Sequence, residues 1–142
     1  MSTPNPASTN PQTPTDEYLL LIRGTHWNHG MSPAELQRVM TEFYAWVDGL
    51  IQSGVQRGAQ PLMEEGRLVT GAKGASVTDG VFAESKEAIA GYFLLAVSSI
   101  DVAVQLAQAC PILAYGAQIE VRPVADLCRP MAELKAHDGP GK

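Results

Sequence analysis

Basic clusters are missing from this chain. Ten Lys and Arg stand against fifteen Asp and Glu, for a formal net charge of −5. Phosphate backbones are held by grouped cations, so nucleic acid is not an expected partner. Long apolar runs are also missing. Nothing approaches the ~20 residues that cross a bilayer, so no membrane partner is expected. The N-terminus has no basic stretch followed by an apolar one, and it does not read as a secretory signal. Cysteine is scarce, with Cys110 and Cys128 far apart and in no CxxC arrangement. A reduced, cytoplasmic protein is the expectation. Three catalytic or cofactor signatures are absent: the phosphate-binding GxxxxGK[ST], a GxGxxG after a strand, and the GxSxG nucleophile elbow. Nucleotide and serine-hydrolase readings therefore lose support, and no cofactor is expected.

What is present is enough for one domain. The 142 residues are 45% hydrophobic and 18% charged, a balance that suits a folded core rather than a disordered chain. Residues 1–15 are rich in Pro, Thr, Asn and Ser and hold no large apolar side chain after Met1, so a flexible tail is expected there. Residues 16–125 carry the domain. Residues 126–142 are a C-terminal extension, in which Leu127, Met131 and Leu134 can pack while the Gly-Pro-Gly end frays.

Within the domain, Tyr18 to Arg23 reads as a strand with apolar residues on both faces. Ser32-Pro33-Ala34-Glu35 is a capping box with proline in the first turn. It opens a long helix whose apolar set is Leu36, Val39, Met40, Phe43, Val47, Leu50 and Ile51, with Gly54 as the stop. Pro61 to Glu65 and Arg67 to Thr70 read as strands around a Gly66 turn. Gly71 and Gly74 break the chain again, and Ala75 to Ala83 reads as a further strand or irregular hairpin. Gly91 to Val97 is apolar on both faces. Ser98 or Ser99 caps a second helix that turns Ile100, Ala103, Val104 and Ala107 inward and ends at Pro111. Gln118 to Arg122 is the last strand, with Ile119 and Val121 on one face and Glu120 and Arg122 on the other. This order predicts an α+β, ferredoxin-like antiparallel sheet with two helices on one face. The uncovered face would expose apolar residues, which predicts a homodimer joined through the open faces.

Four motifs now stand in order: Asp79-Gly80-Val81-Phe82-Ala83-Glu84-Ser85-Lys86-Glu87, Gly91-Tyr92-Phe93, Ala109-Cys110-Pro111-Ile112-Leu113 and Ile119-Glu120-Val121-Arg122-Pro123. Together they resemble the YCII-related proteins of the DGPF type, over about residues 17–124. The resemblance implies a dimeric α+β barrel of ferredoxin-like subunits, a bacterial origin and a mostly uncharacterised function. Some members are encoded beside, or fused to, sigma factors of the extracytoplasmic-function group. A few relatives in the wider group are small-molecule enzymes, among them a dehydrochlorinase. Dimeric α+β barrels more widely include lactone isomerases and monooxygenases. Two departures stand out. Val81 replaces the proline of the naming motif, with Gly80 still permitting a positive φ. The His–Asp pair of the enzyme-like members is incomplete: Asp79 matches its Asp, but the helix at 33–53 has no histidine, so His26 or His29 would have to substitute.

Asp79 is thus a candidate general base, although an Asp before Gly also starts turns and bonds its own backbone. His26 would supply the imidazole. His26 and His29 at i and i+3 lack a companion ligand set, and no metal is expected. Glu84 and Lys86 are candidate ligand-orienting groups, or a solvated loop. Tyr92 either lines a cavity or fills the core. Glu120 and Arg122 either face the dimer cleft, where a guanidinium would grip a carboxylate or phosphate, or form a structural pair. Arg23 can join them. Two functions remain in play. One is a small polar or aromatic molecule bound in an inter-sheet cleft, with cofactor-independent acid–base chemistry. The other is a non-enzymatic regulatory or protein-interaction dimer linked to an extracytoplasmic-function sigma factor. The residues do not choose between enzyme and binder.

Overall fold

Strand β1 (Asp16–Arg23) shows the period of two that a sheet with one covered face requires. Tyr18, Leu20 and Ile22 are buried, whereas Leu19, Leu21 and Arg23 are only partly so. A computed structural model of the chain describes residues 16–80 and 88–138. The expected tail at 1–15 lies outside the described residues, and so do Glu84 and Lys86.

After β1 comes helix α1 (Pro33–Gln52), then β2 (Gln56–Pro61), β3 (Arg67–Thr70), β4 (Ser76–Asp79) and β5 (Ile89–Val97). Helix α2 (Ile100–Gln108), a short 3-10 turn at Pro111–Tyr115, strand β6 (Gln118–Pro123) and helix α3 (Arg129–Asp138) complete the order. The main sheet has the order β2-β5-β1-β6, with every adjacent pair antiparallel. It follows that β1 and β2 run parallel with β5 between them, and β5 and β6 run parallel with β1 between them. Helices α1 and α2 make these two crossovers, which is the ferredoxin-like arrangement. The four strands form an open sheet, not a closed barrel. β3 and β4 form a separate two-stranded ribbon inserted between β2 and β5.

Local signals explain the helices. The Ser32 hydroxyl accepts from the Glu35 amide at 3.1 Å, and the Glu35 carboxylate accepts from the Ser32 amide at 3.0 Å. The capping box is formed, with Pro33 at the first helical position. The amide and hydroxyl of Ser32 hold the Glu35 carboxyl below its ordinary value. Ser99, rather than Ser98, caps α2 by accepting from the Val102 amide.

The core lies between the helices and one face of the sheet. Leu20, Leu95 and Val39 are fully buried there, with Leu50, Phe93, Ala107 and Ile112 around them. The Trp46 indole N–H donates to the Leu106 carbonyl at 2.9 Å and ties α1 to α2. Two residues expected inward are not. Ile51 falls past the apolar stripe at the end of α1, and Ile100 is the first residue of α2; both are exposed. Ala103 and Ala107 carry the inward face of α2 instead.

The second strand also departs from the expectation. It is Gln56–Pro61, not Pro61 to Glu65. Its side chains are mostly polar or small, so apolar alternation does not mark it. It serves as an edge strand and ends at proline, which has no N–H to give to a ladder. Likewise, β3 does not turn back at Gly66. Its turn is at residues 71–75, where Gly71, Lys73 and Gly74 all take positive φ, and its partner is β4. Gly80 does not use positive φ. Its N–H donates to the Gly66 carbonyl at 3.2 Å, and a Cβ there would stand 3.4 Å from the Gly66 carbonyl carbon. A glycine at 80 suits the close passage of two backbones at the foot of the ribbon.

Candidate functional site

The helix-covered side of the sheet is not completely filled. A cavity of about 330 Å3 opens between α1 and the end of the sheet where β2 stops. Met40, Phe43, Tyr44 and Val47 form its α1 wall, and Ile22, Ala59, Pro61, Gly91 and Phe93 form its sheet wall. Trp27 and Ile112 also line it. The lining follows from local structure. Met40, Phe43, Tyr44 and Val47 recur at helical spacing. Gly91 lets β2 approach, since a Cβ at that position would lie 2.8 Å from the Gln60 carbonyl oxygen. Aromatic contacts fix the wall. Phe43 meets Phe93 edge-on at 6.2 Å, and Trp46 meets Phe93 at 5.1 Å and 76°. Trp27 leans on Tyr115 at 6.4 Å. Among the described residues, no Asp, Glu, Lys, Arg or His lines the cavity, and such a lining selects for apolar surface and ring shape.

A polar group stands beside it in the chain. His26, the neighbour of Trp27, has its Nε2 3.6 Å from Glu64 Oε2 and its ring 4.1 Å from that of His29. Glu64 follows Pro61 by three residues. Reading the sequence did not single out Glu64, because nothing in the order of residues brings it to the β1–α1 loop. Asp79 stands at the foot of the ribbon, opposite Arg67 in the β3–β4 ladder and exposed. Among the described residues no group of three or more His, Cys, Asp or Glu is disposed to hold a metal ion.

The open face of the sheet holds a second group. Ile119 and Val121 pair with Ile22 and Leu20, which puts Glu120 and Arg122 on the open side with Leu21 and Leu19. Arg23 reaches across to Glu120, with Nε and Nη2 at 2.9 and 2.5 Å from Oε1. Arg122 Nη1 stands 3.5 Å from the other Glu120 oxygen. The Arg23 hydrogen bonds are the main reason that the Glu120 carboxyl sits below its ordinary value. The Arg23–Glu120 pair thus joins β1 to β6, and the mostly exposed Arg122 guanidinium stands farther from Glu120. Tyr92 pairs with Leu21 and Gln60 on this face, and it also forms part of the cavity wall where β2 ends.

Among the described residues, the expected site residues thus fall into three places: His26 beside the cavity with Tyr92 in its wall, Asp79 on the ribbon, and Glu120 with Arg122 on the open face. The cavity itself was not legible beforehand, because its wall is assembled from positions that each read as ordinary core.

A family model of the YCII-related domain matches residues 17–127. The chain belongs to the YCII-related family. The matched span takes in the whole sheet, both crossover helices and the ribbon, and it leaves α3 outside. No curated protein matches the chain. Within this YCII-related domain, Cys110 is buried and its thiol is pushed up to about 11 by burial, which makes it a poor nucleophile; Cys128 is exposed. Among the described residues, no helix is long and apolar enough to cross a membrane.

Proposed function

We propose that this YCII-related protein binds a small aromatic or alicyclic molecule in the cavity between α1 and the sheet, and that it works as a homodimer joined through the open sheet face. The cavity carries the first part. Its size is near the lower end of the ~300–1,000 Å3 usual for ligand sites, which suits one or two rings. Its walls offer apolar contact and ring edges. Leu19, Leu21 and Leu94 on the uncovered face support the second part.

If the bound molecule reacts, cofactor-independent proton transfer fits the residues at hand. His26 is the candidate base, with Glu64 as its carboxylate neighbour. Asp79 is the alternative carboxylate. An isomerisation or an elimination needs no more than these. Arg122 lies on the opposite, open face of the sheet and takes no part in this pocket.

The test is a ligand-observed NMR screen of benzoates, phenols and five-membered lactones. It compares the wild-type protein with Val47→Phe, whose larger ring fills the cavity. Binding that disappears in Val47→Phe is the expected result. Binding by none of the three classes, or binding that Val47→Phe leaves intact, would refute the pocket reading.

A second reading is a regulatory or protein-interaction dimer, with an extracytoplasmic-function sigma factor as one candidate partner. The observation that favours it is the apolar surface of the ribbon, where Leu68, Val69 and Val77 are all more than half exposed. Retention of such a sigma factor on the immobilised protein, without any small-molecule binding, would support that reading over the first.

A further inference from the structure

The two edges of the main sheet are not alike. Edge strands carry unpaired backbone groups, and proteins blunt them with bulges, proline, lysine or a cover. β2 is blunted: its register shifts between Gln56 and Gly58, and it ends at Pro61. β6 keeps an unbroken register with β1, from Tyr18 opposite Pro123 to Arg23 opposite Gln118. The Val124 N–H donates to the Glu17 carbonyl at 2.9 Å, and bonding alternates along an antiparallel strand. Gln118, Glu120 and Arg122 therefore turn their backbone groups to β1, while Ile119 and Val121 turn theirs outward. Among the described residues, no strand pairs with that edge. Helix α3 follows β6 in the chain but does not seal the edge, since Arg129 to His137 are all exposed.

We propose that β6 pairs antiparallel with β6 of a second copy, about a two-fold axis through Val121, so that two sheets continue into one. The charges select both the partner and the register. With the axis at Val121, each Glu120 faces the partner's Arg122, at the close spacing of a directly opposed pair. With the axis at Glu120 or at Arg122, like charges face each other across it, which disfavours those registers. The Glu120 carboxylate has an oxygen to spare for this contact. Arg23 holds Oε1, whereas Arg122 of the same chain stands 3.5 Å from Oε2 and its side chain is 65% exposed. In this register the two Val121 residues exchange N–H to carbonyl bonds, and each Ile119 N–H meets a Pro123 carbonyl. Pro123, with no N–H to give, ends the ladder. A two-fold contact uses the same surface on both copies and closes on itself. Other segments of the chain suit the edge less well. Residues 1–15 include Pro4, Pro6, Pro11 and Pro14, and 139–142 read Gly-Pro-Gly-Lys; proline removes ladder donors. Residues 81–87 lead into Ala88, whose carbonyl accepts from the Gly24 N–H on the side of β1 away from β6. This edge contact is distinct from the open-face joint proposed above and goes beyond it.

Amide hydrogen exchange at Ile119 and Val121, read by NMR on the full chain beside sedimentation equilibrium, tests the proposal. The variants are Arg122→Glu and Glu120→Lys, with circular dichroism to check that each folds. Each variant alone sets like charges opposite one another; mixed, each chain meets the opposite charge. Both amides should exchange at least about tenfold more slowly in the associated wild type than in either variant alone, and the equimolar mixture should restore the protection. If Glu120→Lys does not fold, dilution of the wild type is the second readout, and the amides should speed up as the chains part. Fast exchange in a wild type that still associates overturns the edge contact and leaves the open-face joint standing. Protection that neither dilution nor Arg122→Glu reduces overturns it too, and points to a cover from the same chain, such as residues 81–87. Two folded variants whose mixture stays unprotected overturn the register. A wild type that is still monomeric at roughly 100 μM overturns both the edge contact and the open-face joint.

Discussion

Two β-structures in this chain use similar residues to opposite ends. In the main sheet, Leu20 and Leu95 are fully buried beneath α1 and α2. In the ribbon, Leu68, Val69 and Val77 remain in water. The β-propensity of the segments does not separate them; coverage does. β1 and β5 are central strands with helices on one face, whereas, among the described residues, β3 and β4 pair only with each other. Apolar side chains thus define the fold in one place and offer a contact in the other. The sheet's own open face, with Leu19, Leu21 and Leu94 flanked by the Arg23–Glu120 pair, belongs with the ribbon in this respect.

Truncation should separate the two regions most sharply. Leu95→Ala removes a fully buried side chain from the core and should cost about 2–5 kcal/mol. Val77→Ala, measured on the monomeric chain, should change stability by no more than about 0.5 kcal/mol. Urea unfolding of both variants checks this, and equal losses would erase the distinction. Gly91→Ala comes next. The new methyl meets the Gln60 carbonyl oxygen at 2.8 Å, and pushing β2 from β5 should cost about 1–3 kcal/mol. The same change deforms the cavity wall, so ligand binding should fall with it. Ser32→Ala removes the α1 cap and should cost about 1 kcal/mol, read from the same unfolding curves.

The smallest effect concerns the open face and depends on pH. Glu120 titrates below its ordinary value in the folded chain, because Arg23 bonds to its ionised form. A group lowered in this way stabilises the fold fully above the unfolded-state value, about 4.5. That contribution is lost as pH falls below this value and through the lower folded one. Wild type should therefore exceed Glu120→Gln in stability at neutral pH, and the two should converge on acidification. A difference that persists unchanged below pH 3 would mean that the ion pair is not its source.

Much of this fold can be read from particular residues. The capping box at Ser32 and Glu35 fixes the start of α1, and the period of two around Ile119 and Val121 fixes which side of β6 faces the helices. Both signals are local, so they survive in a linear reading. β2 escaped because Gln56, Arg57 and Gly58 show no apolar alternation, and its identity as a strand comes from pairing with β5. In the ribbon, the strand Arg67 to Thr70 and the breaks at Gly71 and Gly74 were legible, but its partner was not, since Gly66 and Gly71 are equally plausible turns until the pairing of Val69 with Val77 is known. The functional residues were legible only as types. His26, Glu120 and Arg122 were singled out for their chemistry. That Glu64 stands beside His26 and that Arg23 holds Glu120 are tertiary facts, separated by 38 and 97 positions along the chain. The cavity is the extreme case, because each of its walls reads as core.

The central claim is that the helix-covered side of the sheet holds a ligand, and the fluorescence of Trp27 tests it most directly. The chain has two tryptophans, so Trp46→Phe leaves Trp27, in the cavity wall, as the single reporter. Titrating that protein with benzoates, phenols and five-membered lactones should give a saturable change in emission with at least one class, and adding Val47→Phe should abolish it. Emission that stays flat across all three classes, while the protein remains folded, would contradict the account.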